Sequence, residues 1–328
     1  METLGSIDTT MPVGVVDSPI KDHLAKRGTV NVAPEGSAAP IDVYYEVYGT
    51  GPERVAFING MSADRQMWEL NVADFMALGR YQCLAYDHRG TGLSTHGVPL
   101  SSVTTTLLAA DLRALMDALG WERAHIVGVS MGGMVALEFA SQHPQMVQTL
   151  TLAVTNAGLA MPPLRGIAST LWAQLTRDPV ERFERLCRTI YTEEYLRSPA
   201  PEGSGCDTML ELCVKHAVRR SQYTRPMSFA GFLGQVGAVF RHYVAPARLA
   251  AIGRSLPGKR ILVATGDEDH MVRVSNSAYL ADSIGREHVI FKVFEGTGHG
   301  MSSQVSARFV AAIDEMVTAA AAAAAPAT

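Results

Sequence analysis

The sequence predicts an α/β fold in which a mostly parallel central sheet is flanked by helices, with a helical insertion late in the chain. Three observations carry this. Apolar strand-like runs alternate with helical patterns from residue 41 onward, the order that builds a parallel sheet covered on both faces. The apolar run 124–129 breaks abruptly into Gly128-Val129-Ser130-Met131-Gly132-Gly133 and then a helix. The stretch 158–250 is too long for a simple connection between two strands.

The 328 residues are 47% hydrophobic and 18% charged, enough to bury a large core with an insertion. A net charge of -4 with no basic tract argues against nucleic acid or an anionic membrane surface as partner. No stretch is long and apolar enough to span a bilayer, and residues 1–19 lack a basic segment followed by an apolar run, so they do not read as a signal peptide. Cys83, Cys187, Cys206 and Cys213 have neither zinc-ligand spacing nor a small-domain disulfide pattern. A reducing, cytoplasmic setting fits them best.

Taken in order, residues 1–28 read as a loosely ordered arm. The alternating, Val- and Tyr-rich run Ile41–Tyr48 is a strand closed by Gly49-Thr50-Gly51-Pro52, and 54–58 is a shorter, more buried one. Asn59-Gly60-Met61-Ser62 leads into a helix over 64–78, followed by a strand at 82–86 and the segment Asp87-His88-Arg89-Gly90-Thr91-Gly92-Leu93-Ser94. Leu107, Leu108, Leu112, Leu115, Met116 and Leu119 recur at helical spacing up to Gly120. The serine strand and its helix (131–142, stopped by Pro144) follow, then the sixth strand at 149–155. Within 158–250, Asp178-Pro179 is a helix start, with Val180, Phe183, Leu186, Cys187 and Ile190 on one face. Further helical pieces cover 164–176, 208–219 and 229–242. Strands at 260–265 and 289–294 and a last helix carrying Val305, Phe309, Ile313 and Val317 complete the core. The expected organisation is an arm (1–28), a core (29–157 and 251–318), a cap (158–250) and a low-complexity alanine tail (319–328).

Several separated motifs occur together in one order: Asn59-Gly60-Met61, the Asp87 to Ser94 segment, the serine turn, Gly266-Asp267-Glu268-Asp269, and Gly296-Thr297-Gly298-His299-Gly300. Over residues 30–317 the sequence resembles the α/β-hydrolase superfamily, whose residues of interest follow the order Ser, Asp, His. The resemblance implies a nucleophile elbow at Ser130 and a helical cap over the site built by 158–250. It gives the Asp87 to Ser94 loop a structural role. The family often has His-Gly where this chain has Asn59-Gly60, which leaves open what the Asn59 side chain does.

Chemistry points the same way. A serine hydroxyl is a weak nucleophile at neutral pH and needs a base in hydrogen-bond reach. His299, in a glycine-rich loop directly after a strand, is the candidate. Asp269 is the acid that would orient the imidazole. The alternative place for an acid, after the sixth strand, reads Val154-Thr155-Asn156 and holds no carboxylate. Asp267 reads as a turn residue and Glu268 as a solvated charge. The backbone N–H groups of Met61 and Met131 would form an oxyanion hole. Met61, Met131, Met134 and Met301 are candidates for a soft apolar pocket around it, and Trp172 and the neighbours of Phe232 for its acyl-binding wall. The expected activity is a serine hydrolase that cleaves a carboxylic ester, lactone or thioester of an apolar small molecule, with no cofactor and no metal. Acyl transfer, perhydrolysis and carbon-carbon bond hydrolysis use the same residues, and a hydrolase-like receptor with slow turnover is the reading from a different class.

Overall fold

The central strands are buried along their whole length, which requires two covered faces, and the chain supplies them with helices. The computed structural model describes residues 18, 20–158 and 164–324. Its strands are β1 (Leu24–Val32), β2 (Ile41–Tyr48), β3 (Glu53–Ile58), β4 (Tyr81–Tyr86), β5 (Ala124–Val129), β6 (Val147–Ala153), β7 (Ile261–Gly266) and β8 (Val289–Phe294). They form one sheet in the order β1-β2-β4-β3-β5-β6-β7-β8. β2 runs antiparallel to both β1 and β4, and every other pairing is parallel. Core helices α1 (Glu69–Ala77), α2 (Thr105–Ala118) and α3 (Met131–Gln142) precede the insertion. The insertion and its exit contain α4 (Leu164–Leu175), α5 (Pro179–Ile190), α6 (Glu193–Arg197), α7 (Met209–Ser221), α8 (Phe229–Arg241) and α9 (Pro246–Ser255). α10 (Val274–Ile284), α11 (Met301–Gln304) and α12 (Ser306–Ala324) close the chain.

Successive strand residues point to opposite faces, and the core divides accordingly. Ile58, Ile126, Leu152 and Val263 pack with Leu108 and Leu112 of α2, Val135 and Phe139 of α3, Leu249 of α9 and Leu280 of α10. Phe57, Val127, Ala153 and Leu262 pack on the other side with Phe75 of α1 and with Phe309, Ile313 and Val317 of α12. The result is three layers, helices over sheet over helices, as the strand and helix alternation predicts.

The expected arm is shorter than the sequence suggested: residues 24–28 belong to β1, paired with β2. The strand hides its character because it is an edge, with Lys26 and Arg27 facing water and only Val32 buried. Edge strands carry charge to discourage further pairing, which removes the hydrophobic signal by which strands are read. The rest of the expected arm, apart from residues 18 and 20–23, lies outside the described residues. The alanine run continues α12 as far as Ala324.

The loop after β4 is tied down by buried charge. Asp87 accepts from the Arg65 backbone N–H (2.8 Å), Arg65 Nη1 (3.0 Å) and the Leu93 N–H (2.8 Å). A Cβ at Gly92 would collide with the Asp87 carboxylate, so the glycine is required there. Arg89 forks onto Asp111 of α2 at 2.7 and 2.6 Å, the bidentate geometry that makes such pairs strong.

His242, just after α8, is 2% exposed and shares a 3.0 Å hydrogen bond between Nδ1 and the Thr105 hydroxyl. Burial is the chief cause that lowers its pKa to about 4. The folded state therefore resists a proton that the unfolded chain accepts below about 6.5, and stability falls as pH drops from 6.5 towards 4. Between pH 7 and 4.5 this one group should account for about 2 to 3 kcal/mol of lost stability. Urea titrations at both pH values should show a smaller acid loss in His242→Gln than in the parent protein.

Candidate functional site

The C-terminal ends of the parallel strands converge on one place. Ser130 follows β5 directly, in a backbone conformation of φ 56°, ψ -121°. Positive φ is strained for a side chain other than glycine, at about 1 to 3 kcal/mol, and neighbouring backbone maintains it. The Ser130 N–H donates to the Ala153 carbonyl (2.9 Å), and the Ser130 carbonyl accepts from the Thr155 hydroxyl (2.7 Å). A Cβ at Gly128 would collide with the Gly132 carbonyl, one at Gly132 with the carbonyl of Ile58, and one at Gly133 with the Thr155 side chain. β3, β5 and α3 thus meet with no room for anything but glycine.

His299 lies five residues past β8, and its ring bridges the two other residues singled out in the sequence. Nδ1 is 2.8 Å from Asp269 Oδ2 and Nε2 is 3.0 Å from Ser130 Oγ. The Asp269 side chain is fully buried and that of His299 is 10% exposed. The other Asp269 oxygen, Oδ1, accepts the N–H groups of Met271 (2.7 Å) and Val272 (2.8 Å), which orients the carboxylate towards the ring. Asp267 does more than shape its own turn: its Oδ1 accepts the Thr297 N–H at 3.2 Å and joins the Asp269 and His299 loops. Glu268 is exposed.

Several residues that shape the site carry no signal in the sequence. Gln304 accepts the Gly298 N–H (3.0 Å) and donates to the Gly296 carbonyl (2.8 Å), bracketing the His299 loop. The Gly300 N–H donates to the Ile190 carbonyl at the end of α5 (2.6 Å). Thr155, a threonine in the segment that lacks a carboxylate, holds the Ser130 carbonyl. The Asn59 side chain is fully engaged in bracing, donating to the Tyr86 carbonyl (2.7 Å) and accepting from Trp68 Nε1 (2.7 Å).

Met61 lies in a turn closed by the Ala63 N–H and the Gly60 carbonyl (3.4 Å), and Met131 is the first residue of α3. Neither backbone N–H has a protein hydrogen-bond partner among the described residues, and the Met131 N–H belongs to the positive end of the helix dipole. Met301 does not pack with Met61 and Met131. Met131 and Met61 pack on the α2 and α3 side of the sheet, whereas Met301 is buried on the α1 and α12 side. Trp172 is 62% exposed, with Arg185 over its ring at 5.3 Å, and is not part of an enclosed wall. Among the described residues no group of three His, Cys, Asp or Glu side chains could hold a metal ion, and no helix is long and apolar enough to cross a membrane.

A family model described as alpha/beta hydrolase fold matches residues 53–303. “Putative carbamate hydrolase RutD” of Azorhizobium caulinodans is 33% identical over 119 residues, which are 36% of this chain and 43% of that protein. The chain therefore matches less than half the length of this curated relative. Among solved structures, a thermophilic esterase from Thermogutta terrifontis superposes with a TM-score of 0.69 at 23% identity, covering 90% of this chain and 99% of that one. The enol-lactonase of Burkholderia xenovorans LB400 gives 0.68 at 21% identity, covering 88% and 100%.

The close approach at the serine turn has a measurable cost. Gly132→Ala should destabilise the protein by about 3 kcal/mol or more, because its Cβ meets backbone that cannot retreat. Gly28→Ala, whose Cβ would lie 3.5 Å from the Tyr45 hydroxyl, should change stability by less than about 0.5 kcal/mol. Chemical denaturation of the two variants checks the contrast.

Proposed function

The chain belongs to the α/β-hydrolase fold family, and on that premise we propose that it is a serine hydrolase cleaving a carboxylic ester, lactone or thioester of a small apolar molecule. The observation that carries this reading is the imidazole of His299, held between Asp269 at 2.8 Å and Ser130 at 3.0 Å. In this mechanism His299 Nε2 takes the Ser130 proton as Oγ attacks the substrate carbonyl carbon, and Asp269 stabilises the imidazolium that results. Negative charge develops on the carbonyl oxygen, where the Met61 and Met131 N–H groups would receive it in a setting with little competing water. Collapse expels the alcohol or thiol, to which His299 returns the proton. A water then repeats the sequence on the acyl-enzyme and releases the acid.

We assign residues 158–250 to a cap over this site. Support comes from the hydrogen bond between Ile190 and Gly300 and from Gln235 of α8, which is 1% exposed and bonded to the Ser62 N–H beside the proposed oxyanion hole. A serine rather than a carboxylate at the elbow favours acyl chemistry over attack on an alkyl carbon. An acyltransferase would differ only in what accepts the acyl group, and a receptor in turning over about once per site, so turnover number and acceptor dependence separate the three.

A fluorophosphonate should label the protein at Ser130, and Ser130→Ala should remain folded while retaining only catalysis on the order of 10³ to 10⁴ over water. Label on another serine would overturn the reading. Asp269→Asn should lower kcat by about 10⁴, whereas Asp267→Asn keeps an oxygen for the Thr297 N–H and should cost less than about tenfold. The reverse ranking at saturating substrate would exchange the roles of the two carboxylates.

A further inference from the structure

Gln235 is a polar residue on the buried face of α8, beside Phe232 and Ala238, each 1% exposed like Gln235 itself. A primary amide at such a position destabilises the packing unless its dipole is fully used. Here it is used across a large sequence separation. Oε1 accepts the backbone N–H of Ser62 at 2.8 Å, and Nε2 donates to the Thr91 hydroxyl at 3.0 Å. The orientation of the amide is not arbitrary, since only its oxygen can receive the Ser62 N–H.

Ser62 has φ 61° and is the third residue of the Gly60 to Ala63 turn. Positive φ at that position is the mark of a type II turn, in which glycine is preferred and serine is strained. The relaxed alternative, a type I turn, rotates the peptide between Met61 and Ser62 by about half a turn. That rotation would withdraw the Ser62 N–H from Gln235. The hydrogen bond from α8 therefore opposes the local preference of the loop. It acts one peptide downstream of the Met61 N–H, the group proposed to meet the developing oxyanion.

We infer that Gln235 is a positioning residue: by holding the Ser62 N–H it locks the Met61–Ser62 peptide, and with it the turn whose preceding peptide carries the Met61 N–H, so that the oxyanion hole is complete only while α8 is seated. This rests on the serine-hydrolase reading above and adds to it a residue 173 positions from the loop it controls. Thr91 anchors the far end of the amide and ties the same helix to the loop after β4.

The test is Gln235→Leu, which keeps the volume and removes the acceptor. The parent protein is first titrated with a fluorophosphonate and assayed on a chromogenic ester. In the variant, kcat should fall by about 10- to 100-fold, less than the roughly 10²- to 10³-fold that outright loss of one oxyanion donor costs, with KM changed less than about twofold because the ground-state carbonyl makes little use of the hole. The affinity of an aryl trifluoromethyl ketone, whose serine adduct carries the oxyanion, should fall by the same factor. The acid-side midpoint of kcat/KM should stay where it is in the parent, since the triad is untouched. A kcat within twofold of the parent, a loss carried by KM alone, or an undiminished affinity for the ketone overturns the assignment. If Gln235→Leu fails to fold, Thr91→Val removes only the anchor and should give the same pattern at about 3- to 10-fold; parental kcat there also overturns it. Absence of Ser130 labelling in the parent would instead defeat the hydrolase reading itself, whereas labelling with unchanged variant kinetics defeats only the role of Gln235.

Discussion

The site depends on a steric constraint: three backbones pass each other at the end of the sheet with space for hydrogen atoms only. Gly132 at the start of α3 faces the Ile58 carbonyl at the end of β3, and Gly128 at the end of β5 faces Gly132. With those contacts made, Ser130 has no relaxed conformation available, and its φ of 56° follows from the packing around it. The same approach holds the loop that follows β3 close to the serine turn and the start of α3. Strain here is local, and the buried sheet sustains it.

Around this constraint the loops are fastened to one another more than to solvent. Asp87 fastens the loop after β4 to Arg65, and Asn59 fastens the end of β3 to Tyr86 and Trp68. Asp267 and Gln304 hold the His299 loop from two sides. Each is a short polar side chain satisfying backbone groups that a loop leaves unpaired. A reacting group gains precision from such bracing because its own rotamer is then one of few that fit.

That Ser130, Asp269 and His299 arrive at neighbouring strand ends was legible because each follows a strand within a short motif whose glycines announce a sharp turn. The layered fold was legible for a similar reason, since periodicity survives wherever one face is buried. β1 was not, because an exposed edge carries no such pattern. Nor were Gln235 and Thr155: their partners are 173 and 25 residues away, and nothing in a glutamine within a helix, or a threonine after a strand, says which backbone group it will meet. The side taken by Met301 was hidden for a geometric reason. Proximity of Met301 to His299 in sequence does not determine which face of the sheet receives the side chain, and it turns to the opposite side from Met131.

The long separations also bear on how the protein is made. The elbow is built from contacts among residues 58–155, whereas the hydrogen bond that completes it spans 169 residues, from Ser130 to His299. Closing so long a loop costs more entropy than forming the turn itself, and a chain synthesised from its N-terminus presents the earlier residues first. During translation the strained serine therefore precedes its imidazole by β6, the whole insertion and the last two strands. Until β8 has joined the sheet, the nascent chain carries the strained serine without the His299 ring beside it.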